Sequence, residues 1–165
     1  MTMATTPPAK TTLAQHLREE RVSELRLREA CTARPGDPVA DVIRCMRERR
    51  TGCVLIVKDG QLLGIFTERD FVNRVVTQYF DPAGPVEQVM TPNPATVPAG
   101  VSVLSAIELM NAGGYRHLPV MGDDGQPMGV LSVKDVVHYL VESFPAKVYN
   151  LPPTPDQTQP AREGA

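Results

Sequence analysis

Hydrophobic positions along this 165-residue chain follow one order of rhythms, and that order occurs twice. Val39, Val42, Ile43 and Met46 fall at i, i+3, i+4 and i+7, which predicts a helix with one buried face. Two apolar runs follow, Cys53–Val57 and Gln61–Phe66, on either side of Lys58-Asp59-Gly60, and the Asp-Gly pair predicts a hairpin. Phe71, Val72, Val75, Val76 and Tyr79 then predict a second helix. Downstream, Val103, Ile107 and Met110 restore the helical spacing. His117–Met121 and Met128–Leu131 flank a longer turn at 122–126, and Val136, Val137, Leu140 and Val141 close the series. Short extended stretches ending in proline turns, Cys31–Gly36 and Ala95–Gly100, precede each first helix. The reading is an α+β fold of two tandem β-α-β-β-α repeats.

The residues themselves support a duplication. Gly64-Ile65-Phe66-Thr67-Glu68-Arg69-Asp70 recurs as Gly129-Val130-Leu131-Ser132-Val133-Lys134-Asp135, at an offset of 65 at every position. Upstream matches drift by only a residue or two. The chain therefore divides into an N-terminal segment with a short helix (1–21), repeat 1 (22–80), a connector (81–85), repeat 2 (86–144) and a C-terminal tail (145–165). Thr12 is placed to cap the short helix, whose Leu13, Ala14 and Leu17 would pack across a repeat. Met1–Lys10 and the stretch from Pro145 onward offer little to bury and read as flexible tails.

Composition narrows the function classes. No apolar run approaches the ~18 residues of a membrane span, and the N-terminus lacks a secretory pattern, so a cytoplasmic protein is expected. The formal net charge is −2, without the basic excess usual for nucleic-acid binders. The cluster Arg44, Arg47, Arg49 and Arg50 reads as a solvated helix face. Cys31, Cys45 and Cys53 show no metal spacing and no disulfide framework, so reduced, partly buried thiols are expected. No nucleophile stands beside a base, which argues against an enzyme.

The unit with chemical content is the strand end Thr67-Glu68-Arg69-Asp70, and its copy Ser132-Val133-Lys134-Asp135. A hydroxyl at a helix start lies beside free backbone N–H groups that favour an anion. One turn later a carboxylate can accept two hydrogen bonds, as a ribose diol offers. The cation between them, Arg69 or Lys134, suits phosphate. The same spacing is also an ordinary capping motif, and duplication alone would preserve a cap. Gly64 and Gly129 leave room for another group to approach the strand closely. Gly113-Gly114-Tyr115-Arg116-His117 adds basic groups at a glycine bend, where the first copy has the neutral Thr51-Gly52-Cys53. The two sites are therefore expected to be unequal.

Taken together, GIFTERD, GVLSVKD, GYRHLPV and VEQVMTPNPATV resemble a tandem pair of CBS domains, a Bateman module, over roughly Val22–Phe144. The resemblance implies a pseudo-twofold pair with two clefts between the repeats and a regulatory role that requires no cofactor. It implies an adenosine-containing ligand such as AMP, ADP, ATP or S-adenosylmethionine, sometimes a dinucleotide. It also implies assembly as a homodimer, with a regulated protein as a further partner. By position, Thr67 and Asp70 would hold ribose in one cleft, and Ser132 and Asp135 in the other. Arg69 and Lys134 would reach phosphates, with Arg116 and His117 doing so in the second cleft. Backbone at Thr32-Ala33 and Thr96-Val97, with Gly52-Cys53, would line the adenine pockets. The alternative is an interaction module whose clefts are degenerate and bind no nucleotide.

Overall fold

The structure is a computed structural model, which describes residues 12–145. The expected tails, residues 1–10 and those from 146 on, lie outside the described residues. Helix α1 (Leu13–Glu19) opens on a capping box, in which Thr12 and Gln15 each satisfy the other's backbone N–H. Repeat 1 follows as β1 (Thr32–Ala33), α2 (Val39–Arg49), β2 (Cys53–Lys58), β3 (Gln61–Thr67) and the short α3 (Glu68–Asp70). Repeat 2 contributes β4 (Thr91–Pro92), β5 (Val97–Pro98), α4 (Val103–Gly113), β6 (His117–Met121), β7 (Pro127–Ser132) and α5 (Val133–Ser143).

Two sheets result, ordered β1-β2-β3-β4 and β5-β6-β7. β1 pairs parallel with β2, and β5 with β6, while each hairpin is antiparallel. The hairpins turn where Asp-Gly and Gly125 predict, with Asp59, Gly60 and Gly125 all at positive φ. In β2 four successive residues, Cys53 to Ile56, are buried, because the strand is covered on both faces. Val54 and Ile56 point into the core of repeat 1. Cys53 and Leu55 point the other way and join Ile65 and Val130, so the two sheets meet back to back.

The leading segment of each repeat packs on the other repeat. Leu17, Val22 and Leu25 belong to the core built by Val97, Val103, Leu118, Leu131 and Val136. Val86 and Val89 belong to the core of Val39, Val42, Ile56 and Phe66. Strand β4, ahead of repeat 2, completes the sheet of repeat 1, and Arg28 bridges to Val130 on the matching edge of the second sheet. Edge-to-face contact between His16 and Phe144, 4.9 Å between centroids, also ties α1 to the end of repeat 2.

Two local features depart from the sequence pattern. The second helix of repeat 1 is not one regular helix. After α3 the chain widens into a π-helical turn, Phe71–Val76, with Phe80 donating back to the Val75 carbonyl. Val75 is buried there, whereas Tyr79 takes positive φ and is 94% exposed. The second departure is that Cys31 and Cys45 are joined in a disulfide, contrary to the expectation of reduced thiols. Pairing of β1 with β2 lays Cys31 over α2 within reach of Cys45, a proximity that the 14-residue separation does not encode.

Candidate functional site

Both Thr67 and Ser132 end a β-strand and cap the helix that follows. Thr67 Oγ1 donates to Asp70 Oδ2 at 2.7 Å and accepts from the Asp70 N–H at 3.2 Å. Ser132 and Asp135 repeat these bonds at 2.5 and 3.2 Å. Each repeat thus uses one carboxylate oxygen, Oδ2, to cap its own helix and leaves Oδ1 to face across the gap between the repeats.

What meets Oδ1 differs. In repeat 1, Thr91 Oγ1 donates to Asp70 Oδ1 at 3.0 Å, and Arg74 Nη1 lies 3.4 Å from the same oxygen. Asp70 is buried and its hydrogen-bonding capacity is met. In repeat 2, Asp135 Oδ1 faces Arg28 Nε at 3.3 Å, and the Arg28 side chain is 64% exposed. Thr91 sits opposite Ile65, and Arg28 opposite Val130. The two residues therefore hold the same place in the duplicated architecture, with a short hydroxyl in one copy and a long cation in the other.

Three cavities surround these groups. One of about 260 Å³ holds Thr67, Arg69 and Asp70, walled by Thr91, Asn93–Ala95 and Gly113–His117. A narrow one of about 60 Å³ holds Ser132, Lys134 and Asp135, walled by Arg28–Cys31 and Arg50–Cys53. The narrow cleft shares Arg50, Thr51, Gly52, His117, Ser132 and Lys134 with a cavity of about 610 Å³ between the helix starts, which Glu68, Arg116, Val133 and Val137 also line. Its fixed charges are the cations Arg50, Arg116 and Lys134 against Glu68, an excess that favours an anion.

His117 lines all three cavities. Its ring lies over Gly52, where an added Cβ would come within 3.0 Å of Cε1. Burial and then the neighbouring Arg116 hold its pKa below the ordinary 6.5, against the opposing pull of Glu68 and Asp135. Cys53, at the matching strand position of repeat 1, is buried and its thiol is pushed up to about 11.

Most of the sequence-derived candidates converge on these walls, with two corrections. Arg116 and His117 were expected with Ser132 and Asp135, yet they also wall the Thr67–Asp70 cavity, and the neutral Thr51-Gly52-Cys53 walls the Ser132–Asp135 cleft. His117 pairs with Ser132 in its own sheet and also reaches the other repeat's helix start, so the basic pair borders both sites rather than the second alone. Thr32, Ala33, Thr96 and Val97 line neither cleft. Val97 is 4% exposed in the second core, Ala33 packs on the first, and Thr32 and Thr96 face solvent. The walls come from residues slightly earlier, Arg28–Cys31 and Thr91–Ala95.

Arg50 was missed as a cleft residue. It takes the left-handed conformation after α2 that Gly114 takes after α4. A side chain there costs about 1 kcal/mol relative to glycine, and this one places a cation on the cleft. Among the described residues no cluster of His, Cys, Asp and Glu would hold a metal, and no helix is long and apolar enough to cross a membrane.

Comparison with known proteins agrees with this architecture. The chain is 35% identical over 105 residues to the CBS domain-containing protein CBSCBSPB3 of Arabidopsis thaliana, covering 63% of this chain and 19% of the plant protein. It thus spans about a fifth of that relative's length. The CBS-domain containing protein ATU1752 of Agrobacterium tumefaciens superposes with a TM-score of 0.62 at 31% identity, over 68% of this chain and 90% of that one. The CBS domain protein PAE2072 of Pyrobaculum aerophilum, solved in complex with AMP, superposes with a TM-score of 0.65 at 28% identity, over 70% and 88%. The family model for the CBS domain matches residues 22–77 and again 86–142, so the chain belongs to the CBS-domain family as a tandem pair.

Proposed function

We propose that the chain is a regulatory module that takes an adenine nucleotide, of the AMP, ADP or ATP kind, in the cleft at Ser132 and Asp135. The observation that carries this reading is the difference between the two aspartates. Asp135 Oδ1 is met by an exposed arginine that can swing away, whereas Asp70 is buried and its oxygens are already engaged. A ribose diol can compete for the first and not for the second. Lys134, Arg50 and Arg116 supply the charge for phosphates. The AMP held by the similar Pyrobaculum protein supports an adenosine ligand. Because the cleft walls come from both repeats, a bound ligand favours one arrangement of the repeats, by as much as its affinity differs between arrangements.

The signal passes to a second copy or to a regulated protein. Val72 and Val76 on the π turn, and Val133 and Val137 on α5, are exposed apolar residues at i, i+4 spacing on equivalent helices. Such a face fits pairing with its own copy. Calorimetric titration with AMP, ADP and ATP tests the ligand reading, using Asp135→Asn and Asp70→Asn. Binding should fall at least about tenfold in the first, because one charge-assisted hydrogen bond is lost, and hold in the second. No heat with any nucleotide, or unchanged binding in Asp135→Asn, rejects it.

A further inference from the structure

The three cysteines divide into two kinds. Cys53 is buried behind β2 with its thiol protonated well above neutral pH. Cys31 and Cys45 are only half-buried and are bonded to each other. Cys31 also belongs to the wall of the Ser132–Asp135 cleft.

That wall is a strap of four residues, Arg28 to Cys31, stretched between the repeats. One end is held on repeat 2, where Arg28 bridges to Val130 and its guanidinium faces Asp135. The other end is held on repeat 1 through Cys31, by the disulfide to α2 and by one backbone bond, the Leu55 N–H donating to the Cys31 carbonyl at 2.9 Å. Beyond it, β1 is two residues long. Besides the disulfide, that short pairing and the packing of Ala30, Cys31 and Ala33 hold the strap against repeat 1. With the bond closed the end of the cleft beside Cys31 measures about 60 Å³ and shares walls with the cavity of about 610 Å³. The bond thus pins the strap at the narrow end of the cleft.

We propose that Cys31 and Cys45 are a modification site for low-molecular-weight disulfides, a reversible thiol switch whose closure pins the strap at the Ser132–Asp135 cleft and whose reduction frees it. The proposal rests on that cleft being the nucleotide site. In the closing reaction one protein thiolate attacks the small disulfide and expels one small thiol. The second protein thiolate then attacks the protein sulfur of the mixed disulfide, forms the Cys31–Cys45 bond and expels the second small thiol. The two protons lost from the protein thiols end on the two small thiols. The two electrons reduce the small disulfide, and excess thiol reverses the sequence.

The test uses the whole 165-residue chain, reduced with dithiothreitol or oxidised with glutathione disulfide, with the bond state assigned by intact mass and thiol titration. Amide hydrogen exchange at residues 28–31 and calorimetric affinity for AMP are read in each state. The same readings are taken on Cys45→Ser, a position that lines no part of the cleft. Reduction should speed exchange in the strap and tighten AMP binding about tenfold, within the usual range of allosteric coupling. Cys45→Ser should match the reduced protein under dithiothreitol, and glutathione disulfide should leave it with glutathione on Cys31 and no closed bond. Equal exchange and equal affinity in the two states overturn the switch, as does failure of glutathione disulfide to close the bond. Faster exchange on reduction with no AMP binding in either state rejects the nucleotide reading and keeps the thiol switch.

Discussion

Thr91 reaches across the gap between repeats and donates its hydroxyl to Asp70 at 3.0 Å, so a carboxylate placed to read a ligand serves as an internal weld. Asp70 also caps α3 through Thr67. Asp70→Ala should therefore cost about 2–3 kcal/mol, the loss of a cap plus buried hydrogen bonds. Thr91→Val should cost about 1 kcal/mol. Urea titration measures both, and a loss for Asp70→Ala no larger than that for Thr91→Val would contradict the weld.

The glycines at the matching strand positions should not respond alike. A Cβ on Gly64 would overlap Met90 Sδ and sit 3.0 Å from the Thr91 carbonyl oxygen, which is backbone. Gly129 has its nearest neighbours, Arg28 O and Leu27 Cβ, at 3.3 Å. Gly64→Ala should lose about 1–3 kcal/mol through overpacking, and Gly129→Ala distinctly less. Thermal melts showing the reverse order would refute the close approach of β4.

His117 makes stability depend on pH with a definite sign. Its folded pKa lies below 6.5, so the unfolded chain takes up the proton first as pH falls. Stability should hold above about pH 7 and decline below 6.5, by at most about 1.4 kcal/mol per pH unit for one proton. His117→Gln should remove that component of the slope between pH 7 and 5. Denaturation at several pH values checks it, and an unchanged slope would count against a neutral His117.

Cys53 should stay silent. With its thiol pushed up to about 11, the reactive thiolate is scarce at pH 8. Iodoacetamide added to reduced, folded protein should label Cys31 and Cys45, and reach Cys53 only after denaturation. Peptide mass spectrometry reads this directly, and prompt labelling of Cys53 in the native state would contradict its burial.

The exposed valines give a solution test of assembly. Val72 and Val137 hold equivalent positions in the two repeats, and both are exposed. Val137→Glu, or Val72→Glu, should shift sedimentation from a pair of copies to single chains while leaving the melting temperature near that of wild type. A wild-type protein already monomeric at high concentration would remove the self-pairing reading.

Much of the fold was legible because its signals are local. The spacing of Val39, Val42 and Met46 gave α2, Asp59-Gly60 gave a hairpin, and the GIFTERD and GVLSVKD motifs placed both helix starts. What escaped the sequence is non-local. The meeting of the two sheets brings Arg116 and His117 to Thr67 and Asp70 as well as to their own repeat's Ser132. Thr91 and Arg28 hold one structural position with unlike residues, so no repeated motif marked them. Cys31 and Cys45 meet only once β1 has paired with β2. The π turn after Asp70 adds a residue to the turn while leaving the apolar pattern helical.

The exchange of leading segments means that the unit of duplication is not the unit that folds. Cutting the chain in the connector near Gly84 would give one piece carrying Leu17, Val22 and Leu25 without the core they fill, and another carrying Val86, Val89 and β4 without the sheet they complete. Each piece would expose a vacancy shaped for the other. Two separately produced halves should find each other in solution and rebuild the native molecule, with the covalent connector contributing only proximity.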